Sequence, residues 1–94
     1  MRVQLAPKLV DKVKKLDVRI RSCFKEAIKL FSQDPNNLEL NNHKLRRERK
    51  RYSSINVTAD WRAIYEKIDE EGEDIAYFIE LGTHDQLYRK RKAS

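Results

Sequence analysis

An α+β fold follows from three features of this 94-residue chain. Helical periodicity runs through its first half. Near residue 51 the pattern changes to short runs rich in β-branched and aromatic residues, and the links between those runs are short enough for antiparallel neighbours. The expected architecture is a short N-terminal strand, two amphipathic helices, then a three-stranded antiparallel meander.

Each element has its own warrant. Val3 and Leu5 alternate before Pro7, so a short strand leads to a proline suited to the first position of a helix. Leu5, Leu9, Val13 and Leu16 form one apolar stripe, and Ile20, Phe24, Ala27, Ile28 and Phe31 form the next. Asp17 suits the N-cap of the second helix. Asp34-Pro35 ends that helix, because a residue before proline is pushed out of the α region. The segment from Asn36 to Lys50 is polar and irregular, and Leu38, Leu40 and Leu45 are expected to pin it to the core. The strands are Tyr52 to Val57, Trp61 to Lys67 and Ile75 to Leu81, joined by Thr58-Ala59-Asp60 and by the acidic turn Asp69 to Asp74. Helices packed on one face of such a sheet leave the other face open.

Composition narrows the class of protein. At 39% hydrophobic and 38% charged residues the chain is expected to be one small domain with one modest core. Cys23 is the single cysteine, so no intramolecular disulfide and no cysteine-paired zinc site can form. It sits on the apolar stripe of the second helix, where a buried, inert thiol is expected. No apolar run approaches the roughly 20 residues of a membrane-spanning helix, and no signal-peptide core begins the chain. A cytoplasmic protein without membrane segments is the expectation.

The net charge of +6 is unevenly placed. Lys44, Arg46, Arg47, Arg49, Lys50 and Arg51 crowd one span against Glu48 alone, and Arg89-Lys90-Arg91-Lys92 forms a basic tail at 89-94. Residues 52 to 88 are acidic. A dense basic segment favours a polyanionic partner, because neutralising phosphates releases condensed counterions.

Chemistry points to the end of the last strand. The apolar run Ile75 to Leu81 leads into Gly82-Thr83-His84-Asp85-Gln86-Leu87-Tyr88, placing a histidine just beyond a strand. A histidine can give or take a proton near neutral pH without extreme tuning; His43 is the other one. Strand parity puts Trp61 and Tyr65 with Ala63 toward the core. Arg62 takes the opposite parity, where Asp85 or Glu80 would be its alternative ion-pair partners.

Four pieces resemble the bacterial RelE/ParE toxin superfamily, and within it the YafQ- and RelE-like messenger-RNA interferase branch: Asn42-His43-Lys44-Leu45, Arg51-Tyr52-Ser53-Ser54-Ile55-Asn56-Val57, Asp60-Trp61-Arg62-Ala63-Ile64-Tyr65, and Gly82-Thr83-His84-Asp85-Gln86-Leu87-Tyr88. Their order and spacing match over nearly the whole chain, as one RelE-like toxin domain spanning 1-94 with a microbial ribonuclease-type fold.

The resemblance implies the toxin of a type II toxin-antitoxin pair, a ribosome-dependent endoribonuclease that cuts messenger RNA by attack of a ribose 2′-hydroxyl on the adjacent phosphate. Its implied partners are a cognate antitoxin, the ribosome and mRNA, with no metal, no small-molecule cofactor and no membrane. The reaction needs a base, groups that stabilise charge on the phosphorus oxygens, and an acid for the leaving 5′-oxygen. His84 matches the C-terminal histidine of the YafQ-like pattern, His43 the upstream histidine, Asp60 an acidic residue, Arg62 an arginine of RelE-like sequences suited to bracing a phosphate, and Tyr88 an aromatic position suited to stacking on a base or donating its hydroxyl. Asn56 stands where the YafQ-like motif has another histidine; it cannot shuttle a proton but can hydrogen-bond RNA. The basic run from Lys44 to Arg51 is the expected RNA contact. The alternatives are a noncatalytic ParE-like inhibitor of DNA gyrase and a degenerate member that only binds antitoxin or RNA.

Overall fold

Val3 and Leu5 do alternate in a strand, β1 (Arg2–Leu5), and Pro7 opens helix α1 (Pro7–Lys14). The second apolar stripe becomes α2 (Val18–Gln33), capped by the Asp17 carboxylate, which accepts the Arg19 backbone N–H at 2.8 Å. These elements belong to a computed structural model in which residues 1–88 are described; the expected basic tail at 89-94 lies outside the described residues.

The expected meander is part of a larger sheet. Its strands are β2 (His43–Lys44), β3 (Tyr52–Asn56), β4 (Trp61–Glu70) and β5 (Glu73–Thr83), and with β1 they stand in the order β1-β5-β4-β3-β2. β1 runs parallel to β5, while every other pairing is antiparallel. A five-residue helix, α3 (His84–Tyr88), follows β5.

Three local expectations are corrected. The acidic stretch from Asp69 to Asp74 is mostly strand: Asp69 pairs with Asp74 and Glu70 with Glu73, leaving Glu71 and Gly72 as the turn. Both turn residues have positive φ (54° and 83°), which glycine accommodates without a steric cost. The connection from Asn36 to Lys50 is not irregular throughout, since it contains two 3₁₀ turns, Leu38–Leu40 and Arg47–Arg49, on either side of β2. Leu40 is buried, but Leu38 is 94% exposed and anchors nothing.

One core lies between the helices and the sheet. Leu9, Phe24, Ala27 and Phe31 meet Ile55, Ala63, Tyr65, Ala76, Phe78 and Leu81. At its centre Phe31, Tyr65 and Phe78 pack ring to ring, with centroids 5.0 to 5.4 Å apart, the spacing that offset and edge-to-face aromatic pairs favour. Phe78 and Leu81 are three residues apart, so simple alternation would point them to opposite faces. A bulge resolves this: Ile64 pairs with Glu80 and Tyr65 with Phe78, leaving Ile79 as the extra residue, so the strand switches parity and both side chains reach the helices.

Ile64, Ile75 and Ser54 are buried outside that cluster. In register, Ser54, Ile64 and Glu80 lie across the sheet from one another, on the face away from the core. No helix of the described residues is long and apolar enough to cross a membrane.

Candidate active site

The face away from the core carries a cleft of about 330 Å³ lined by Asn41, His43, Leu45, Arg62, His84 and Tyr88. Sequence reasoning named four of these six residues, and the fold brings them together from β2, β4 and α3.

His84 starts α3, and its backbone N–H donates to the Asp60 carbonyl oxygen at 2.9 Å. Asp60 therefore anchors His84 through its main chain, while its carboxylate is exposed and makes no hydrogen bond among the described residues. Thr83 and Gln86 close the first turn of α3: the Thr83 N–H donates to Gln86 Oε1 at 3.0 Å, and the Gln86 N–H donates to Thr83 Oγ1 at 3.2 Å. The His84 and Tyr88 rings, one helical turn apart, lie 4.6 Å between centroids at 54°. The Tyr88 hydroxyl is already committed, donating to Ser54 Oγ at 2.9 Å. Its ring is what it offers to the cleft.

Arg62 makes neither of the ion pairs considered from the sequence. Glu80 pairs instead with Arg49 at 2.8 Å, and Arg62 Nη1 donates to the carbonyl oxygens of Thr58, Ala59 and Trp61 at 3.0 to 3.2 Å. The turn between β3 and β4 thus grips one guanidinium nitrogen, leaving Nε and Nη2 without a protein acceptor among the described residues. A guanidinium fixed on one edge and open on the other is suited to an oxyanion.

His43 is held from its own chain segment. Its Nδ1 lies 2.8 Å from the Asn41 carbonyl oxygen. Between them Asn42 spans two supports, donating from Nδ2 to the Pro35 carbonyl oxygen at 3.0 Å and accepting from the Tyr65 hydroxyl at 2.8 Å. Sequence reasoning missed Asn41, whose only signal was an asparagine ahead of a strand, and Ser54, whose role depends on a contact 34 residues away.

Asn56 pairs in register with Arg62 but does not line this cleft. It lines a separate depression of about 580 Å³ with Ser22, Cys23, Glu26 and Leu40 among others, and its Oδ1 is buried without a hydrogen-bond partner. Cys23, expected to be buried, is half-buried there.

The basic run divides in two. Arg49 donates to Glu80 and to the Leu87 carbonyl oxygen, and Arg51 pairs with Glu66 at 3.0 Å. The hydrogen bond to Glu66 and its charge hold the Arg51 guanidinium above its ordinary pKa. Both arginines also stand 5.5 to 5.9 Å from the centroid of the Tyr52 ring, within cation–π range. Lys44, Arg46, Arg47 and Lys50 are exposed and form no ion pair among the described residues. Nor do three or more His, Cys, Asp or Glu of those residues gather where they could hold a metal ion.

No protein-family model matches the sequence, and no curated protein matches it. Solved structures do match in fold. YafQ from E. coli strain BL21(DE3) superposes with a TM-score of 0.71 at 22% identity, over 94% of this chain and 99% of that one. A YoeB/ParE toxin from Agrobacterium tumefaciens gives 0.70 at 18% identity, over 89% and 99%. The E. coli DinJ-YafQ toxin-antitoxin complex gives 0.69 at 23% identity, over 92% and 94%.

Proposed function

We propose that this chain, which has the fold of RelE/ParE-like toxins, is itself the toxin of a toxin-antitoxin pair and acts as a metal-independent endoribonuclease on ribosome-bound messenger RNA. The observation that carries the reading is the convergence of His43, Arg62, His84 and Tyr88 on one open cleft. Two imidazoles supply the proton donor and acceptor that attack by a 2′-hydroxyl requires. The open edge of Arg62 meets the charge developing on the phosphorus oxygens, and the Tyr88 ring offers a stacking surface for an unpaired base. Lys44, Arg46, Arg47 and Lys50 extend a cationic surface that draws in polyanionic RNA. Asn56 would contact RNA only outside this cleft, in the depression it lines with α2. A cognate antitoxin is the expected protein partner, as in the structural neighbour solved as a toxin-antitoxin complex, and a cytoplasmic location is consistent with a ribosomal target.

Induced expression should arrest translation, and messenger in a reconstituted translation reaction should be cut only when ribosomes are present. His84→Ala should abolish both effects. Intact messenger in that reaction would overturn the assignment, and inhibition of gyrase supercoiling by the same preparation would replace it with a noncatalytic role.

A further inference from the structure

His43 and His84 are not equivalent, and a main-chain oxygen distinguishes them. His43 Nδ1 lies 2.8 Å from the carbonyl oxygen of Asn41. A carbonyl can only accept a hydrogen bond, so Nδ1 must carry the hydrogen. In neutral His43 the lone pair is then left on Nε2, in a side chain that lines the cleft. His84 has no ring hydrogen bond among the described residues; its neighbour is the Tyr88 ring, tilted at 54° to it.

The carbonyl that sets this tautomer is built into the fold. Asn41 has φ 46° and ψ 48°, the left-handed conformation, and closes the 3₁₀ turn Leu38–Leu40 by donating its N–H to the Leu38 carbonyl oxygen. Asparagine and glycine enter that region at low cost, while β-branched residues do not. The next residue, Asn42, is fixed to the Pro35 carbonyl oxygen and to the hydroxyl of core residue Tyr65. The acceptor for His43 is therefore held from both sides.

We infer that Asn41 is a positioning residue whose left-handed main chain fixes His43 as the Nδ1–H tautomer, making His43 Nε2 the general base and His84 the general acid of the cleft. This rests on the ribonuclease reading above and deepens it. The proton of the 2′-hydroxyl passes to His43 Nε2 as the 2′-oxygen bonds to the adjacent phosphorus. The bond from phosphorus to the 5′-oxygen breaks, and that oxygen takes its proton from His84. The products are a 2′,3′-cyclic phosphate and a 5′-hydroxyl, with no oxidant, reductant or further reactant consumed.

The test reads the tautomer directly and independently of activity. In ¹⁵N-histidine-labelled protein at alkaline pH, long-range ¹H–¹⁵N correlations should show His43 protonated at Nδ1 and bare at Nε2. Asn41→Val should lose that signature and lower kcat for ribosome-dependent cleavage by about 10²-fold with KM kept. Asn41→Gly, which retains the left-handed turn, should restore both signature and rate. Neutral His43 protonated at Nε2 in the parent protein would overturn the inference whatever the cleavage result. An Nδ1–H signature in a protein that cuts no messenger would overturn the base assignment through the functional reading, leaving the tautomer device intact. Asn41→Val with the altered tautomer and an unchanged kcat would overturn the base assignment alone.

Discussion

The Tyr88 hydroxyl donates a 2.9 Å hydrogen bond to Ser54 Oγ, and Ser54 is wholly buried. This contact ties the short helix bearing His84 to the middle of β3, because five residues of helix cannot hold their own geometry in water. Removing the Tyr88 hydroxyl leaves a buried hydroxyl without its partner.

Tyr88→Phe should therefore cost about 1 to 2 kcal/mol and lower the melting temperature by roughly 5 to 10 °C. Adding Ser54→Ala should recover part of the loss, since removing both partners of a buried hydrogen bond costs less than removing one. Purely additive losses in thermal melts of the two single variants and the double variant would contradict this.

Gly82 marks the sharp passage from β5 into α3. A Cβ there would stand 2.9 Å from Gln86 Oε1 and 3.3 Å from Leu87 Cδ2, displacing the oxygen that accepts the Thr83 N–H. Gly82→Ala should cost about 1 kcal/mol of stability, because the ends of side chains can move, but about 10²-fold in cleavage, because His84 moves with them. Cleavage kinetics beside a thermal melt separate the two effects.

Salt should distinguish the two halves of the basic run. Lys50→Ala should flatten the dependence of log affinity for single-stranded RNA on log salt by about 0.7, the value for one lost phosphate contact. Arg51→Ala should change it less, since Arg51 is already paired with Glu66. Fluorescence anisotropy across a salt series measures both slopes, and equal changes would refute the division.

The aromatic centre sets the stability of the domain. Phe31→Ala should cost about 3 to 5 kcal/mol, since Phe31 is fully buried against Tyr65 and Phe78. Tyr65→Phe should cost only about 1 kcal/mol yet loosen the His43 segment, because the lost hydroxyl supports Asn42. Chemical denaturation gives the first quantity, and histidine NMR line shapes report the second.

The helices were legible because their signals are local: a stripe at helical spacing, the cap Asp17, the stop at Asp34-Pro35. So was the inward parity of Ala63 and Tyr65, since β4 keeps its alternation. β5 was harder to read, because the bulge at Ile79 changes the parity between Phe78 and Leu81 and follows from register with β4. β2 was missed because two residues carry no period and their pairing is set by β3. The cleft was legible in His43, Arg62, His84 and Tyr88, whose residue types announce chemistry. Asn41 and Ser54 were not, since one acts through a main-chain carbonyl and the other through a contact remote in sequence. Asp60 was named for its carboxylate, whereas it holds His84 through its main-chain oxygen.

The strand order β1-β5-β4-β3-β2 also governs when the molecule exists as such. β5 is the last strand of the described residues, yet it lies between β1 and β4, and Arg2 must find Ile75 before the sheet is complete. During synthesis, which exposes the N-terminal part first, α1 and α2 emerge with no sheet centre to cover, and α3 with His84 follows only after β5. The cleft therefore cannot assemble until His84 has been made, after all five strands of the sheet. Such distant pairing is slow to form, which leaves an interval in which a binding partner can meet the chain before its cleft is assembled.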